Sequence, residues 1–379
     1  MSDIRIAAVE SREDLVRFLE LPASIYASDR NWVRPLLFER LRHLDRNRNP
    51  FWRGIDIRFW IARRGAREVG RISAQVNHRH LERHADATGH FGFLEAVDDP
   101  EVFAALLETA EEWLRAQGME RIAGPFDPSI NDSCGLLVAG FERPPSMMMG
   151  HARPYYAQRL EALGYRKLRD LLAYDFDVTA DWPPAAARLL ARARRLEGVR
   201  VRPLDMRRWY EEIDTICAIF NDAWAENWGF VPFDQAEARY LADEIRPLVT
   251  GGCFAIGELD GEPAAMTVTL PNLNEAIADL GGRLWPLGWA KLLWRLFVRG
   301  VSSWRMPLMG VRRRYQNSPH GAALALLVIE AVQSYHRARG VARAELSWVL
   351  EDNRRVRDLI ETVGGVPYKT YRIYAKSLR

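Results

Sequence analysis

Two stretches of alternating apolar and polar residues lie far apart in the chain and share one pattern. Residues 59–70 (FWIARRGAREVG) alternate into a turn and out again, and residues 253–264 (CFAIGELDGEPA) do the same with the turn in register. Alternation with a period of two puts successive side chains on opposite faces, which is typical of a half-buried strand. Both stretches are therefore predicted to be β-hairpins.

Two amphipathic helix patterns follow the hairpins. Residues 106–118 (LLETAEEWLRAQG) and 327–340 (LVIEAVQSYHRARG) each end on a glycine, the residue favoured just after a helix. Each leads into a short strand pattern and then into a second helix with a closing glycine, Gly164 or Gly364. The repeated order predicts an α/β (α+β) chain made of two copies of one unit, each with a mixed, mostly antiparallel sheet flanked by helices.

The two copies do not align with a constant offset, so each contains an insertion. We predict a first domain over residues 1–176, a linker over 177–198 and a second domain over 199–379. The linker contains a Trp-Pro-Pro turn and an Arg/Ala-rich helix pattern. The insertion in the second domain covers residues 284–305.

The insertion is strongly apolar and carries Lys291, Arg295 and Arg299 at four-residue spacing. That spacing gives a cationic stripe along one side of a helix. A charge on every turn argues against a membrane-spanning helix and favours a helix that lies at a membrane surface. The alternative is a helical hairpin packed on the protein's own core, and the sequence does not decide between the two.

Composition narrows the function classes only a little. The 379 residues are 48% hydrophobic and 27% charged, which is ordinary for a globular protein, and a net charge of +3 is too small to indicate nucleic-acid binding. The three cysteines lie far apart, and residues 1–14 lack a secretory pattern, so we expect a cytoplasmic location. His78, His80, His84 and His90 lack a metal-site motif, and we predict no metal there.

The most informative stretch, residues 305–332, has the pattern of a strand, a basic turn and a long helix in succession. The start of a helix offers unpaired backbone N–H groups and the positive end of the helix dipole, both of which favour a phosphate. Arg312, Arg313 and Arg314 lie just before that start. The pattern indicates an anion site.

This order of elements, followed by a strand with Glu345-Leu346-Ser347-Trp348, then Asn353 and a short helix, resembles the GNAT superfamily of acyl-CoA N-acyltransferases. The pyrophosphate loop of that family is Gln/Arg-x-x-Gly-x-Gly/Ala. Residues 316–321 fit it with Pro319 in place of the first glycine, while a register shifted to 321–323 restores the glycine but loses the Gln/Arg. The resemblance implies acyl-CoA as cosubstrate, no permanently bound cofactor, and these binding residues: Met309, Gly310, Val311, Arg312, Arg314, Gln316, Asn317, Ser318, His320, Gly321, Ala322 and Asn353.

The family chemistry is direct attack of an amine on the thioester. The resemblance implies an oxyanion donor among the backbone N–H groups of residues 309–311. Candidate bases are Glu345, Glu351 and Asp352. The tyrosine that many members use to protonate the thiolate is replaced here by an isoleucine, so Tyr368, Tyr371 or water would protonate it.

In the first copy the matching turn, residues 95–101, is rich in carboxylates, which would repel a pyrophosphate. We therefore expect acyl-CoA in the second domain and a degenerate GNAT-like first domain, an arrangement similar in plan to the N-myristoyltransferases.

The acceptor is harder to infer. The apolar insertion and the 13 tryptophans resemble the GNAT-like bacterial ceramide synthases, which acylate a sphingoid base, and imply a lipid amine reached at the membrane surface. A soluble amine acceptor and a non-catalytic acyl-CoA or lipid-binding protein remain alternatives. No Walker or Nudix motif supports nucleotide hydrolysis.

Overall fold

A computed structural model describes residues 3–379 of the protein. Its strands are β1 (Ile4–Ala8), β2 (Ile55–Arg64), β3 (Arg67–Asn77), β4 (Thr88–Ala96), β5 (Arg121–Gly124), β6 (Phe126–Asp127), β7 (Ser133–Cys134), β8 (Leu136–Ala139), β9 (Arg166–Asp177), β10 (Val199–Arg202), β11 (Phe254–Leu259), β12 (Glu262–Pro271), β13 (Ser303–Val311), β14 (Arg343–Leu350) and β15 (Val366–Ser377).

The helices are α1 (Arg12–Glu20), α2 (Pro22–Ile25), α3 (Leu37–His43), α4 (His78–His84), α5 (Pro100–Ala116), α6 (Tyr155–Ala162), α7 (Pro184–Ala193), α8 (Trp209–Ala223), α9 (Gln235–Ile245), α10 (Leu273–Ile277), α11 (Gly288–Trp294), α12 (Pro319–Arg337) and α13 (Arg354–Thr362). A π-helical segment, Arg295–Arg299, continues α11. Short 3₁₀ segments are Pro50–Trp52, Met206–Arg208, Arg246–Leu248, Gly251–Cys253 and Arg313–Tyr315.

The chain divides into two compact units. Unit 1 comprises the residues up to Leu171, Ile277–Trp289 and Lys369–Arg379, and unit 2 comprises Leu172–Ala276 and Ala290–Tyr368. Strands β9 and β15 each contribute to both units. The first half of β9 and the second part of β15 belong to unit 1, and the remaining parts belong to unit 2.

In unit 1 the strand order is β1-β2-β3-β4-β5-β15-β9. Strands β1 to β4 are antiparallel, whereas β4 and β5 run parallel and pair only over residues 88–90 and 121–123. Helix α5 packs closely on the sheet because Gly70 and Gly89 have no side chains. A β-carbon at these positions would lie 2.7 Å from Leu106 and 2.4 Å from Leu114.

In unit 2 the order is β10-β11-β12-β13-β14-β9-β15. Strands β10 to β13 are antiparallel, and β13 and β14 run parallel. Helix α12 packs on β11, where Gly257 leaves room for Leu324 and Val328. The parallel pair is therefore central in unit 2, and α12 enters directly from the turn that follows β13.

The structure confirms the predicted α/β class and the repeated elements. The two hairpins are β2–β3 and β11–β12, and α5 and α12 match the two helix patterns. The closing glycines at 118, 340, 164 and 364 all have positive φ, which glycine adopts without a steric cost. The division of the chain at residues 176 and 199 stays a prediction; α7 lies within the predicted linker.

The insertion at 284–305 is helical over α11 and its π-helical continuation. Several of its large apolar side chains are exposed to solvent: Trp285 is 84%, Leu287 73%, Phe297 60% and Val298 72% exposed. Arg295 instead donates a 2.8 Å hydrogen bond to the carbonyl of Ala276. Over residues 3–379, no helix is both long enough and apolar enough to cross a membrane.

Candidate functional site

Strands β13 and β14 part in the middle of their length. They pair only from Ser303 to Met306 with Arg343 to Leu346, although both strands continue. Pro307 follows the last paired residue of β13 and has no N–H to donate to a neighbouring strand. Beyond this point the two strands no longer pair with each other, so an extended ligand could place its amides between them.

A buried polar cluster lies beside this gap. Arg305, Glu345 and Ser347 are 4%, 6% and 4% exposed. Arg305 Nε donates to Ser347 Oγ at 2.9 Å, and Ser347 Oγ donates to Glu345 Oε1 at 2.5 Å. The hydroxyl of Tyr368 donates to Glu345 Oε2.

The cluster follows from strand geometry. Arg305 and Glu345 are register partners, and Glu345 and Ser347 share one face of β14 because side chains alternate. The Arg305 guanidinium lies 3.8 Å from the Glu345 carboxylate, so the buried charge has an ionic partner as well as hydrogen bonds. This arrangement holds the Tyr368 hydroxyl in a fixed direction.

The arginines of the basic turn are paired with acids from elsewhere in unit 2. Arg313 contacts Asp222 at 3.5 Å and Glu226 at 3.1 Å, and Arg314 contacts Glu262 at 2.6 Å. Arg313 and Arg314 are about half exposed. Exposed ion pairs contribute about 1 kcal/mol or less, so an incoming phosphate can replace these carboxylates.

Other residues of the turn fix its backbone. Arg312 Nε donates to the carbonyl of Pro263 at 2.8 Å. Gln316 Nε2 donates to the carbonyls of Val311 and Ala223 at 2.9 and 3.2 Å. The turn is therefore joined to β13 and to the end of α8.

Helix α12 begins at Pro319 with Ser318 as its N-cap, and the Ser318 hydroxyl accepts from the N–H of Gly321 at 3.1 Å. Proline suits the first helical position, because its missing N–H would have no partner within the helix. Gly321 is required by a close approach: a β-carbon there would lie 2.0 Å from the carbonyl oxygen of Tyr315.

Two backbone donors at this helix start remain open. Among residues 3–379, the N–H groups of Asn317 and His320 have no hydrogen-bond partner. The Ala322 N–H already bonds the Ser318 carbonyl at 3.1 Å. The open donors lie at the positive end of the helix dipole, which favours an anion.

Two tryptophans flank the gap, and the sequence analysis did not name the first of them, Trp224. Trp224 Nε1 donates to the carbonyl of Met309 at 3.3 Å, and the Trp224 ring meets Trp348 edge to face at 5.8 Å. Gly310 lets Ala223 approach β13, since a β-carbon would lie 3.0 Å from it. The signal in the sequence was residues 220–233 (FNDAWAENWGFVPF), an aromatic-rich stretch directly after an amphipathic helix.

The remaining predicted residues occupy different places. Glu351 and Asp352 lie in the turn between β14 and α13, half-buried and exposed respectively. Asn353 is the N-cap of α13 and accepts from the N–H of Val356 at 3.3 Å. Tyr371 is fully buried in unit 1. Of the five candidate acid and base groups, Glu345 and Tyr368 hydrogen-bond each other.

The equivalent helix start in unit 1 is occupied by the protein's own carboxylates. Asp99 is the N-cap of α5 and accepts from the N–H of Glu101 at 2.9 Å. Arg64 pairs with Asp99 at 2.6 Å, and Arg159 pairs with Asp98 at 2.7 Å. An exogenous phosphate would meet these carboxylates there; that residues 95–101 repel a pyrophosphate stays a prediction.

The gap between β4 and β5 in unit 1 is filled by the chain itself. The Asp127 carboxylate accepts from the N–H of Phe93 at 2.5 Å. A β-carbon at Gly92 would lie 1.8 Å from the carbonyl oxygen of Phe126. Segment β6 thus takes the place that an extended ligand would need.

A buried carboxyl lies near the end of β4. Glu95 Oε2 accepts from the hydroxyls of Tyr26 and Tyr156, each at 2.7 Å. Burial raises the pKa of Glu95 to about 7, although the nearby Arg71 guanidinium opposes the rise. Unit 1 therefore has a carboxyl–tyrosine cluster of its own, without an open gap beside it.

Four histidines were considered as metal ligands, and three of them lie close together in unit 1. His80 lies 4.6 Å from His84 and 4.9 Å from His90, ring centre to ring centre, and bonds Asp86 at 3.1 Å. Burial lowers the pKa of His90 to about 3. Within the described range, no three His, Cys, Asp or Glu side chains are arranged to hold a metal ion.

Comparison with known proteins gives two relatives along the full length. The chain is 46% identical over 380 residues to a protein named bacterial ceramide synthase from Caulobacter vibrioides (strain NA1000 / CB15N), covering 100% of this chain and 98% of the relative. It is 45% identical over 369 residues to protein YghO of Escherichia coli (strain K12), covering 97% and 94%. No protein-family model matches the chain.

Solved structures share the fold. A tandem GNAT protein from the clavulanic acid biosynthesis pathway superposes with a TM-score of 0.59 at 13% identity, covering 99% of both chains. A GCN5-related N-acetyltransferase from Sphaerobacter thermophilus gives 0.55 at 13% identity, covering 100% of this chain and 97% of the other. The predicted tandem GNAT-like architecture is confirmed.

Proposed function

The chain belongs to the bacterial ceramide synthase family, and from that membership we propose that it is an acyl-CoA-dependent N-acyltransferase that forms an amide on the primary amine of a lipid, such as a sphingoid base. The observation that carries this proposal is the 46% identity over the whole length of a relative with that name. The open gap and the helix start in unit 2 support it.

Unit 2 is proposed to bind the acyl-CoA. The pyrophosphate would accept from the open N–H groups of Asn317 and His320 at the start of α12. Arg312, Arg314 and Gln316 lie in the turn just before it, and Arg314 would exchange its exposed partner for a phosphate oxygen. The other predicted binding residues of this turn, which shape its backbone, are Ser318, Gly321 and Ala322, and Asn353 caps the next helix.

The pantetheine arm would enter the gap between β13 and β14 as an extended segment. This position brings the thioester next to residues 309–311, where a backbone N–H can stabilise the oxyanion that forms during attack. Trp224 supports this stretch because it holds the Met309 carbonyl. Trp224 and Trp348 together would form an apolar wall for a long alkyl chain.

Tyr368 and Glu345 are proposed to move the proton. The Tyr368 hydroxyl donates a hydrogen bond to Glu345, so the lone pairs of the phenolic oxygen can point toward the ammonium group of the lipid amine. The phenolic oxygen would take a proton from that ammonium while Glu345 takes the phenolic proton. The neutral amine then attacks the thioester carbon, the C–S bond breaks, and a second proton passes from nitrogen to the thiolate. One proton is released for each amide formed.

Glu351, Asp352 and Tyr371 are the other proposed acid and base groups. Glu351 and Asp352 lie at the carboxyl end of β14, so either could take the ammonium proton directly. Tyr371 is buried in unit 1. Single replacements of these three residues provide the comparison for Tyr368 and Glu345.

The insertion is proposed to bring the enzyme to its lipid acceptor. Exposed tryptophan, phenylalanine and leucine side chains along α11 and its continuation, together with Lys291 and Arg299, match a helix lying at the surface of a bilayer. We place the protein at the cytoplasmic face of a membrane in peripheral contact.

The decisive experiment incubates the purified protein with a long-chain acyl-CoA and sphinganine. Release of free thiol together with a ceramide-type amide, detected by mass spectrometry, supports the proposal. Turnover only with water-soluble amines would indicate a soluble-amine acyltransferase. Tight CoA binding without turnover on any amine would leave a binding protein and overturn the enzymatic proposal.

Two variants test the parts separately. Gln316→Ala with Arg314→Ala should weaken CoA affinity, measured by calorimetry, while the matched pair Gln235→Ala with Arg239→Ala on α9 should not. Replacing residues 284–301 by a short Gly-Ser linker, which leaves β13 and its pairing with β14 intact, should reduce vesicle association and lipid turnover. If both stay unchanged, the membrane role of the insertion is wrong.

A further inference from the structure

A groove on unit 1 lies outside the site described above. It is lined by residues of α1, of α3 and of the segment that follows α3, and it has a volume of about 540 Å³. Its apolar lining residues, called the floor below, include Leu15, Phe38 and Leu41. Phe38 is 54% exposed. A floor of this kind with a large exposed aromatic ring is typical of a surface that contacts apolar material.

The charged lining residues of the groove, called the rim below, are mostly basic. Arg12, Arg42, Arg46 and Arg48 line it against a single carboxylate, Asp45. Arg48 contacts Asp45 at 3.6 Å and is 68% exposed. Among residues 3–379, Arg12 has no hydrogen-bond or ion-pair partner. The excess of positive charge favours an anionic occupant.

The rim is also joined to exposed apolar residues of the same unit. The N–H of Leu37, the first residue of α3, donates to the carbonyl of Gly282 at 3.1 Å. Arg283 contacts Glu20 on α1 at 3.3 Å. Trp285, which follows shortly after, is 84% exposed. The two helices of the groove therefore both hold the segment that leads into the apolar insertion.

We propose that the α1–α3 groove binds the headgroup of an anionic phospholipid, with the phosphate on the arginine rim and the first part of an acyl chain on the Leu15–Phe38 floor. This inference deepens the proposed function and rests on it, because it concerns how a lipid acyltransferase meets a membrane. It adds a site for a lipid that is not a reactant.

A membrane lipid fits the groove better than a free phosphate does. A free anion would need only the arginines, whereas a lipid anchored in a bilayer also covers the exposed Phe38 ring. Arginines near an anionic bilayer each contribute about 1 kcal/mol, or about fivefold in partition. Three of them should therefore account for about 100-fold.

The test compares vesicles of phosphatidylcholine with vesicles containing 30% phosphatidylglycerol, in a flotation assay with the full chain. One variant carries Arg12→Gln, Arg42→Gln and Arg48→Gln. The matched control carries Arg5→Gln, Arg58→Gln and Arg67→Gln, three exposed arginines of the same unit with the same change in charge. Thermal melting checks that both variants fold.

We expect the wild type and the control to prefer the anionic vesicles, and the groove variant to bind them about 100-fold more weakly. Equal binding of wild type to both vesicle types, or equal loss in the control, overturns the proposal. Displacement from the vesicles by millimolar glycerol phosphate would identify a free-anion site instead. Capture of a phosphopeptide without vesicle binding would also contradict it.

The failure of this inference is distinguishable from failure of the proposed function. Acyl transfer measured in detergent micelles does not depend on vesicle binding. The groove variant should keep its turnover in micelles, because none of its replaced residues lies in unit 2. Phe38→Ser provides a second variant that leaves the arginines intact and should weaken binding to anionic vesicles alone.

Discussion

Unit 1 and unit 2 contain the same two features, a parallel strand pair that parts and a helix that begins after a turn, but they fill them differently. In unit 1 the Asp127 carboxylate and the Phe126 carbonyl occupy the gap, and Asp99 caps the helix. In unit 2, none of the strands described over residues 3–379 lies in the gap between β13 and β14, and a neutral serine caps the helix.

The difference teaches that a fold which offers an anion site can also close it with its own side chains. A carboxylate as N-cap satisfies the same backbone donors that a phosphate would use, and it adds like charge. A short strand placed in a gap occupies the same strand edge to which an extended ligand would bind. Within residues 3–379, unit 2 alone leaves both the helix start and the gap open, and four predictions contrast the two units.

The largest effect should come from the tyrosines. Tyr368→Phe should lower turnover by about 1000-fold, because general acid–base groups contribute on this scale, with CoA affinity unchanged. Tyr156→Phe removes the corresponding hydroxyl bonded to Glu95 in unit 1 and should leave turnover unchanged. Steady-state kinetics with separate measurement of CoA affinity checks this. Equal losses in the two variants would contradict the assignment of chemistry to unit 2.

The next effect concerns the glycine at the start of α12. Gly321→Ala should reduce CoA affinity by about 100-fold, equivalent to about 3 kcal/mol, because the new methyl group would force the Tyr315 carbonyl away. Calorimetry with CoA measures it. The control is Gly340→Ala, where φ is +74° and no atom lies within 4 Å, so the replacement costs some stability but should not alter CoA affinity.

The stability of the protein should depend on pH through a buried carboxyl of unit 1, Glu95. Because burial raises the pKa of Glu95 from 4.5 to about 7, the folded protein holds this proton more tightly than the unfolded chain does. The resulting stability is present below pH 4.5 and is lost as the pH rises through 7. Between pH 5.5 and 8 this amounts to about 2 kcal/mol.

Glu95→Gln should remove that dependence, which urea unfolding at the two pH values measures. Asp214→Asn, at a partly exposed position of unit 2, serves as the control and should leave the wild-type pH dependence in place. A Glu95→Gln protein that still loses stability over this interval would show that another group titrates there.

The smallest effect compares the two caps. Asp99→Ala and Ser318→Ala should each cost about 1 kcal/mol of unfolding free energy, since each removes the acceptor for a backbone N–H. Only Ser318→Ala should also weaken CoA binding. If Asp99→Ala weakens it equally, unit 1 takes part in binding the cofactor.

The elements with local signals could be predicted from the sequence. The β2–β3 and β11–β12 hairpins follow from alternation over about ten residues, and the ends of α5 and α12 follow from Gly118 and Gly340. The helix start at Ser318 also follows from local chemistry, because the cap, the proline and the glycine lie within four residues of one another.

The contacts between distant residues could not be predicted. The three arginines at 312–314 predict a cationic turn, but Asp222 and Glu262 reach it from other elements and partly neutralise it. The pairing of Tyr368 with Glu345 and of Trp224 with Met309 likewise depends on which strands become neighbours. Periodicity gives the faces of elements and does not give their partners.

The second part of strand β15 belongs to unit 1 although it lies at the end of the chain, and this affects the order in which the protein can fold during translation. Residues 369–379 complete the sheet of unit 1 by pairing with β5 and β8, yet the ribosome makes them after all of unit 2. While the residues of unit 2 are being synthesised, the part of unit 1 that is already made therefore has an unpaired strand edge at β5. A nascent chain stalled before residue 369 would present that edge to chaperones, and unit 1 would be the last part to finish folding although it is the first to be translated.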